Sequence, residues 1–517
     1  MTQPYFITTP IYYVNDKPHI GHAYTTLACD VLARFKRLDG FDVTFLTGTD
    51  EHGQKVEKAA SEKGLSPQSF TDEVSQNFRD LTVQMNFSND DFIRTTELRH
   101  KVACQEIWKR LQERGHIQLG NYAGWYSVRD EAFFAETEIV DGNAPTGAPV
   151  EWVEEPSYFF NLSQWQQPLL DFYEANTDFV GPESRFNEVK SFVKGGLRDL
   201  SVSRTSFKWG IPVPGDPDHV MYVWLDALTN YITASGWPTD CESGDLAKYE
   251  TLWPADLHMV GKDILRFHAV YWPAFLMGAD LPLPKRVYAH GWWTNEGQKI
   301  SKSLGNVIDP NALTAQYGLD QTRYFLMREV PFGNDGDFSA TAMTHRMNSD
   351  LANDLGNLCQ RVLTMIYKNC DAVMPALPAE PAKADQTLLL AADGLLDQVR
   401  DLLDRQAFND SLSVIWQVVT DANRYVDSSA PWTLRKTNPT RMAEVLAVLA
   451  ETIRQIAILI QPIMPKSADI ILHQLGVDQA ERDFSVIAGN GRLASGHKID
   501  KPLPVFPRYI EEVSTDG

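Results

Sequence analysis

Hydrophobic and polar residues follow two different rhythms along the chain. In the first hundred residues, short apolar runs at 5–13 and 42–48 alternate with segments of helical spacing at 19–38 and 54–63. Strands that alternate with helices build βαβ units, in which the strands are parallel. The first part of the chain is therefore predicted to be a doubly wound α/β domain.

The α/β rhythm is interrupted between residues 121 and 161. Aromatic, β-rich pieces are broken there by the turn sequences Asp-Gly-Asn and Pro-Thr-Gly-Ala-Pro, which predicts a small inserted domain with hairpins. Strand-like segments that end in polar residues return at 220–226, 257–261 and 286–290. The pattern predicts one parallel sheet that is split by the insertion.

After about residue 339 the pattern is almost wholly helical. A Pro/Ala stretch at 374–383 separates the first two of four long amphipathic runs, which lie at 347–369, 386–405, 411–426 and 441–460. This part of the chain is predicted to be an α-helical bundle of roughly 170 residues.

Composition narrows the classes of protein that the chain can represent. Of its 517 residues, 43% are hydrophobic and 22% are charged, and no apolar run is long enough to cross a membrane. The N-terminus has neither a basic region nor a small-residue cleavage site, so we expect a cytoplasmic location and no membrane partner. A net charge of −21 disfavours indiscriminate nucleic-acid binding but leaves room for one specific RNA on a local basic surface.

His19 and His22 lie where the first predicted strand ends and the first predicted helix begins. They share one face of the first helical turn, and Gly21 between them leaves room for a flat base or a ribose. Phosphates bind near the N-termini of helices that follow parallel strands. An isolated pair of this spacing is more often a surface pair that caps a helix, so the rest of the chain has to decide.

A second polar stretch, Lys299-Ile-Ser-Lys-Ser303, combines two lysines with small hydroxyl groups and has glycines nearby. These groups suit a loop that holds a polyphosphate with ammonium groups and backbone N–H donors. Alone, the stretch is more often a solvated loop. The two motifs together, with an interrupted α/β sheet between them and a helical bundle after them, are hard to obtain by chance.

The two motifs resemble the HIGH and KMSKS motifs of class I aminoacyl-tRNA synthetases, with Ile300 in place of the usual methionine. The likeness covers nearly the whole chain and is closest to the methionyl-tRNA synthetase family, through the blocks at 47–53, 222–227 and 260–264. It implies ATP-dependent activation of L-methionine to methionyl-adenylate, with Mg²⁺ accompanying ATP. It also implies transfer to tRNA(Met), including the initiator tRNA, for translation.

The resemblance divides the chain into four parts. They are the first half of a Rossmann-type catalytic domain at 1–118, an inserted connective domain at 119–218, the second half of the catalytic domain at 219–340, and an α-helical anticodon-binding domain at 341–517.

The resemblance also implies three sets of residues for the activation step. The catalytic set comprises His19, Gly21, His22, Lys299 and Lys302. The ATP-binding set comprises Lys262, Asp263, His268, Ser301 and Ser303. The methionine-binding set comprises Ile11, Tyr13, Asp50, Trp224, Leu228, Tyr231 and His290.

Several of these assignments have plainer alternatives. A pair such as Lys262 and Asp263 at a strand end is often only a helix cap, and an aromatic such as Trp224 is more often core than pocket. Leu228 stands where some family members have proline, which affects the shape of the pocket. Asp50 would bind the substrate ammonium, an ion pair that is favourable after desolvation only with good hydrogen-bond geometry.

The family reads an anticodon from its helical bundle, and three residues match its contacts. Asn357 and Arg361 are one helical turn apart and offer amide and guanidinium groups to base edges, while Trp432 matches an aromatic that stacks on a base. The alternative is an intrahelical Asn-Arg pair and a tryptophan packed at a helix start.

Many methionyl enzymes carry a zinc knuckle in the insertion, and this chain departs from them. Segment 124–134 contains no cysteine and no histidine, with Ser127 and Asp130 at the spacing of a Cys-x-x-Cys pair, so zinc is not expected. The five cysteines form no such pair elsewhere and are expected to be reduced thiols. No oligonucleotide-binding domain follows the bundle, which favours a monomer.

Three rival functions remain at this stage. A synthetase for cysteine would be expected to hold zinc with thiolates, which are absent. A catalytically dead relative that only binds tRNA should have lost a histidine or lysine of the two motifs, and both motifs are intact. A small nucleotidyltransferase that shares the first motif would not need the helical bundle.

Overall fold

The computed structural model describes residues 2–14, 17–129, 132–134, 136–300, 305–487 and 491–510. The chain forms two compact units. The sheet unit comprises Pro4–Cys29 and Val43–His290, and the helical unit comprises Met1–Gln3, Asp30–Asp42 and Gly291–Gly517. Within the part of the chain that is described, no helix combines the length and the apolar character that a membrane crossing requires.

Seventeen strands are found in the described ranges. They are β1 (Pro4–Thr8), β2 (Tyr12–Tyr13), β3 (Asp42–Asp50), β4 (Asp91–Arg94), β5 (Ile117–Ser127), β6 (Ala132–Phe134), β7 (Glu151–Phe160), β8 (Val180–Gly181), β9 (Leu200–Ser201), β10 (Ser203–Arg204), β11 (Pro212–Val213), β12 (Asp216–Met221), β13 (Leu257–Gly261), β14 (Val287–His290), β15 (Trp293–Asn295), β16 (Gln298–Lys299) and β17 (Gly336–Phe338).

The same ranges contain twenty α-helices. They are α1 (Ile20–Leu38), α2 (Gln54–Glu62), α3 (Pro67–Gln84), α4 (Leu98–Glu113), α5 (Gln166–Ala175), α6 (Glu183–Lys194), α7 (Val223–Leu228), α8 (Asn230–Ala234), α9 (Leu246–Leu252), α10 (Trp272–Gly278), α11 (Pro310–Tyr317), α12 (Leu319–Arg328), α13 (Ala340–Arg346), α14 (Asn357–Asn369), α15 (Lys383–Asp393), α16 (Leu395–Asp404), α17 (Phe408–Ser429), α18 (Pro431–Thr437), α19 (Pro439–Ile460) and α20 (Pro465–Gln474).

A seven-stranded sheet organises the sheet unit. Its order is β2-β3-β1-β13-β14-β8, and β4 also pairs with β3. β1 pairs in parallel with β13, β13 with β14, β14 with β8, and both β2 and β4 with β3. Large buried side chains such as Trp108, Tyr173 and Trp272 pack around the sheet in one hydrophobic core. Because these strands are parallel, the C-terminal ends of β1, β3, β13 and β14 lie at the same edge of the sheet, which is its carboxyl edge.

The strands of the insertion other than β8 pair in antiparallel sheets, as the turn-rich sequence at 121–161 predicts, whereas β8 joins the parallel sheet. β5 pairs with β6 and β7, β7 pairs with β9, and a second small sheet has the order β10-β12-β11.

The strand predicted at 220–226 is wrong beyond Met221. β12 ends there in an antiparallel sheet, and Tyr222 leads into helix α7. A short apolar run suits a buried helix as well as a buried strand, so its periodicity does not separate the two.

Helix α19 forms the centre of the helical unit. It is buried along nearly its whole length from Met442 to Ile460, and α14, α15, α17, α18 and α20 pack around it. The single helix predicted at 386–405 is divided at Gly394 into α15 and α16, because glycine weakens a helix interior. The predicted fold class is confirmed: a parallel α/β sheet with an insertion, followed by helices.

Candidate functional site

Predicted site residues from distant parts of the sequence meet at the carboxyl edge of the parallel sheet. Ile11 follows β1, Asp50 ends β3, Asp263 follows β13 and His290 ends β14. His19 stands directly before α1, which is the first helix after β1 and β2. Parallel strands bring their carboxyl ends together, so residues far apart in sequence become neighbours here.

His19 and His22 stack at the start of α1, with ring centroids 3.9 Å apart. The backbone N–H of His19 donates to His22 Nδ1 at 3.1 Å, and that of Gly21 donates to His19 Nδ1 at 3.0 Å. A backbone amide can only donate, so each Nδ1 accepts, and a neutral ring then carries its proton on Nε2. Both rings therefore offer Nε2–H donors, which suit phosphate oxygens.

Gly21 leaves room for the ring of His19. A Cβ at position 21 would lie 2.9 Å from His19 Cε1 and 3.1 Å from His19 Nδ1. The imidazole of His19 thus lies beside the position at which a side chain on residue 21 would begin. The glycine lets this ring fold over the first turn of the helix.

Both histidines are held in the neutral form. Burial lowers the pKa of His19, and the nearby carboxylate of Asp263 opposes this shift. Burial and the neighbouring His19 lower the pKa of His22 well below its usual value. At pH 7 the pair therefore presents two neutral donors, and Asp263, a predicted ATP-binding residue, lies close enough to influence His19.

Lys262 and Asp263 form a short 3-10 turn, Lys262–Ile264, that follows β13 directly. The last residue of β13, Gly261, pairs with His290 of β14. A Cβ on Gly261 would lie 2.5 Å from Asp263 Oδ1. The glycine therefore lets the Asp263 carboxylate fold back along the strand end.

The predicted methionine-binding residues border the apolar core of the sheet unit. Leu228 and Tyr231 are buried in this core, and Ile11 and Trp224 are partly buried against it. Trp224 stacks face to face on Phe267, with ring centroids 3.5 Å apart. An apolar, aromatic lining of this kind suits a thioether side chain.

Tyr13, the remaining aromatic of the predicted methionine-binding set, belongs to a separate cluster. It is partly buried and packs against the hydrophobic residues around Val56 and Phe70. The neighbouring residue, Tyr12, is buried in that cluster, and the Tyr12 hydroxyl lies 2.6 Å from Thr26 Oγ1 on α1. The cluster thus connects β2 with the helix that follows the two histidines.

Polar groups at this edge have defined hydrogen-bond directions. Burial lowers the pKa of His268 to about 4, so its ring is neutral at pH 7. His268 Nδ1 donates to the Ile264 carbonyl at 2.9 Å, and Nε2 accepts from the Tyr231 hydroxyl at 2.7 Å. The Thr25 hydroxyl lies 2.7 Å from His290 Nε2 and 3.0 Å from the Gly21 carbonyl, so a hydrogen bond joins β14 to α1.

The residue after Asp50 is a buried glutamate that the sequence analysis did not single out. Arg94 binds both oxygens of the Glu51 carboxylate, at 2.6 and 2.9 Å, and Thr49 and Thr96 donate to it at 2.8 and 2.6 Å. These bonds tie the end of β3 to β4 and to the segment after it. Asp50 is therefore carried by a rigid strand end.

A second group that the sequence analysis missed surrounds Asp226 on α7. His52 Nδ1 lies 2.6 Å from Asp226 Oδ2, and His100 Nε2 lies 2.8 Å from Asp226 Oδ1. Burial alone would raise the pKa of Asp226, but attraction to His52 and the hydrogen bonds of both histidines lower it to about 2. The only signal in the sequence was that His52 and Asp226 fall within two of the blocks that carry the family resemblance.

The donor atoms of His100, Cys104 and Asp226 lie within 4.8 Å of one another, the spacing of a candidate metal site among the described residues. The Asp226 carboxylate already accepts from His100, and the Cys104 thiol lies 3.6 Å from the Asp226 carbonyl. Burial and the charge of Asp226 raise the pKa of the Cys104 thiol well above its usual value. The three side chains are joined by hydrogen bonds to one another, and the structure therefore shows them as a hydrogen-bonded cluster.

Lys299 lies in the helical unit, on the short strand β16. Its side chain is exposed, and its Nζ lies 5.9 Å from the ring centroid of Trp292. Asn306 Nδ2 donates to the Lys299 carbonyl at 3.0 Å. The other members of this motif in the predicted set, Ser301, Lys302 and Ser303, lie outside the described residues.

The three predicted anticodon residues lie together on the helical unit. Asn357 begins α14 and is exposed, and Arg361 lies one turn further along the same helix. The Arg361 guanidinium lies 5.5 Å from the ring centroid of Trp432 and donates to Asp427 at 2.8 Å. The Trp432 side chain is 46% exposed, so it is not packed into the bundle.

Comparison with protein families accounts for most of the chain. A model described as class I tRNA synthetases (M) matches residues 5–151 and 146–363. A model described as the anticodon binding domain of methionyl tRNA ligase matches residues 377–516.

Individual proteins resemble the chain over almost their full length. The methionine–tRNA ligase of Rickettsia conorii is 58% identical, over 98% of this chain and 100% of that protein. The methionine–tRNA ligase of Rhizobium meliloti is 55% identical, over 98% of this chain and 99% of that protein. A structure of Mycobacterium tuberculosis methionyl-tRNA synthetase with methionyl-adenylate superimposes with a TM-score of 0.94 at 52% identity and covers 98% of this chain and 100% of that one.

The buried histidines predict how stability depends on pH. Burial and the nearby His268 lower the pKa of His258 well below 6.5, so below pH 6.5 the unfolded chain binds a proton that the folded chain excludes. Stability should fall as the pH falls below about 6.5. The free energy of unfolding is measured by urea titration at pH 7, 6 and 5. As the pH falls, it should decrease less steeply in His258→Gln than in the unmodified protein, by up to about 1.4 kcal/mol per pH unit.

His473→Gln is the matched control, because its histidine is exposed. Its pH slope should equal that of the unmodified protein. Equal slopes for all three proteins would contradict the effect assigned to His258.

Proposed function

The chain belongs to the methionyl family of class I tRNA synthetases, and we propose that it ligates L-methionine to tRNA(Met), including the initiator tRNA, at the expense of ATP. The observation that carries the proposal is the carboxyl edge of the parallel sheet. It unites two neutral Nε2–H donors, the carboxylate of Asp50 and an apolar pocket wall in one unit. The Nε2–H donors suit a phosphate, the carboxylate suits an ammonium group, and the apolar wall suits a thioether.

In the first step the methionine carboxylate attacks the α-phosphorus of ATP and releases pyrophosphate. His19 and His22 donate from Nε2 to phosphate oxygens and help to stabilise the charge that develops on them. Because both rings are already neutral and oriented, no proton has to move before they act. Mg²⁺ would accompany ATP as part of the substrate and would share in neutralising the phosphate charge.

Methionine is recognised through its ammonium group and its side chain. We assign Asp50 to the ammonium, and Ile11, Tyr13, Trp224, Leu228, Tyr231 and His290 to the lining of the pocket. Support for this assignment comes from the apolar packing of Trp224 and Leu228 and from the rigid strand end that carries Asp50. The adenosine side is assigned to Lys262, Asp263 and His268.

The lysine motif is assigned to the leaving group. Lys299 and Lys302 would neutralise the pyrophosphate as it departs, with Ser301 and Ser303 as further donors. The exposed ammonium of Lys299 and the glycines near the motif support this role.

In the second step the activated methionine is transferred to the terminal ribose of the tRNA. Asn357 and Arg361 are assigned to anticodon base edges, and Trp432 to stacking on a base. The exposure of Asn357 and Trp432 supports this role, because a base needs an open aromatic face. The cation–π contact from Arg361 would orient that face.

The four parts of the chain divide the work accordingly. Residues 1–118 and 219–340 carry activation, 119–218 form the connective domain, and 341–517 read the anticodon. Segment 124–134 offers neither cysteine nor histidine to a metal, so we expect the enzyme to work without zinc. We also expect a cytoplasmic monomer, as the sequence analysis predicted.

Amino-acid-dependent exchange of labelled pyrophosphate into ATP tests the proposed activation directly. Each of the twenty amino acids is supplied with magnesium, with and without a chelator selective for zinc. We expect exchange with methionine alone and the same rate with the chelator. Exchange with another amino acid would overturn the pocket assignment, and folded protein without any exchange would support a relative that only binds tRNA.

Trp432→Ala separates tRNA recognition from activation. Loss of one stacked base is worth about 1 to 3 kcal/mol, so kcat/KM for charging of tRNA(Met) should fall accordingly, while pyrophosphate exchange stays unchanged. Trp152→Ala, which removes another exposed tryptophan from the insertion, is the matched control and should leave charging intact. Equal charging by both variants would remove Trp432 from the anticodon site.

A further inference from the structure

One buried carboxylate connects three elements of the sheet unit. Asp226 lies on α7, His52 follows the end of β3, and His100 lies on α4. Asp226 and His100 are completely buried and His52 is 2% exposed. Each carboxylate oxygen of Asp226 receives one histidine, at 2.6 Å from His52 and 2.8 Å from His100.

The chemistry of the cluster fixes the direction of these bonds. A carboxylate only accepts, so His52 donates from Nδ1 and His100 donates from Nε2. Each carboxylate oxygen therefore accepts one hydrogen bond from a different histidine. Removing either partner would leave a buried polar group with incomplete hydrogen bonding, which is costly.

The cluster lies between the two parts of the proposed methionine site. Asp50, assigned to the ammonium, is two residues before His52 along the same strand end. Trp224 and Leu228, assigned to the side-chain pocket, lie two residues before and after Asp226 on α7. The Asp226–His52 bond therefore joins the backbone that carries the ammonium ligand to the helix that carries the pocket.

Other contacts hold the same strand end without reaching α7. Trp209 Nε1 donates to the Glu51 carbonyl at 2.5 Å, and the Gly53 N–H donates to the Trp209 carbonyl at 3.0 Å. Arg94 binds the Glu51 carboxylate. These contacts keep the end of β3 folded. The contribution of Asp226 is therefore to fix the position of this strand end relative to α7.

We propose that Asp226 is a positioning residue for methionine, which acts through His52 to hold Asp50 at a fixed distance from the pocket helix α7. The inference rests on the proposed function, since it assigns a role within the same site. Asp226 does not touch the substrate. Its loss should therefore weaken the use of methionine more than the use of ATP, because the groups assigned to ATP lie at the start of α1, after β13 and in the motif that begins at Lys299, and none of them is a hydrogen-bond partner of Asp226 in the described bonds.

Asp226→Asn tests the proposal with almost no change in shape. An amide offers one oxygen and one NH₂ group, so it accepts from only one of the two histidines, and the other loses its present bond unless it changes tautomer and accepts from the NH₂ group. Misplacement of a binding group on this scale is expected to lower kcat/KM for methionine in pyrophosphate exchange by about 10 to 100-fold. The KM for ATP should change less than about twofold, because the substitution affects the methionine side of the site and not the groups assigned to ATP.

A double-mutant cycle distinguishes positioning from general damage. If Asp226 acts through Asp50, then Asp226→Asn should add little to the loss in Asp50→Asn, whereas independent effects would multiply. Asp385→Asn is the matched control, because it makes the same change at another buried carboxylate, which lies on α15 of the helical unit and accepts from Tyr425 and Arg441. It should keep the KM for methionine of the unmodified protein.

His52→Gln provides a second variant in case Asp226→Asn does not fold. The glutamine amide can still donate to Asp226, so the KM for methionine should rise less in this variant than in His52→Ala. Parallel increases in the KM values for methionine and ATP, or multiplicative losses in the cycle, would overturn the proposal. Absence of methionine-dependent exchange in the unmodified protein would instead overturn the proposed function.

Discussion

The parallel pairing of β1 with β13 is the contact on which the sheet unit depends. The two strands are 250 residues apart in sequence, and their register places Ile7 beside Leu257 and Thr8 beside His258. The Phe6 N–H donates to the Asp256 carboxylate at 2.7 Å, and the Asp256 N–H donates to the Phe6 carbonyl at 2.9 Å. This pairing closes the sheet across the insertion and thereby brings Asp263 and His290 to the edge that already holds His19.

Burial at this edge decides what its polar groups can do. An imidazole that is desolvated and whose Nδ1 accepts from the backbone is a neutral donor at Nε2, and His19 and His22 both satisfy these conditions. A carboxylate that is completely buried stays charged only if its partners outweigh desolvation, as two histidines do for Asp226. The same physical rule therefore yields neutral donors where phosphate is expected and a fixed anion behind the methionine pocket.

The sequence predicts the local elements of this fold well, because each has a strong period of its own. The helix expected at 19–38 is found at Ile20–Leu38, and the strand expected at 257–261 is β13 without a change of bounds. The strand prediction at 220–226 is wrong beyond Met221 because a helix of six mostly apolar residues is too short to show a helical spacing of polar and apolar positions. The break at Gly394 falls within a continuous amphipathic run, so the hydrophobic period alone predicts one helix where the glycine divides it into two.

The site divides in the same way. The residue types of the two motifs and the family resemblance identify the histidines and the lysines, but the tautomers of His19 and His22 follow from backbone bonds that only the structure shows. His52 and Asp226 are 174 residues apart, so no spacing in the sequence could pair them. The sequence therefore identifies many of the residues of the site, but it does not show the long-range contacts that orient their side chains.

A crystal structure of the protein with a nonhydrolysable analogue of methionyl-adenylate would test the central claim most directly. The account predicts the analogue's ammonium within hydrogen-bond distance of the Asp50 carboxylate and its phosphate-equivalent oxygens facing Nε2 of His19 or His22. It also predicts the thioether against Trp224 and Leu228. An analogue bound away from the carboxyl edge of the sheet, or with its ammonium on another carboxylate, would contradict the account.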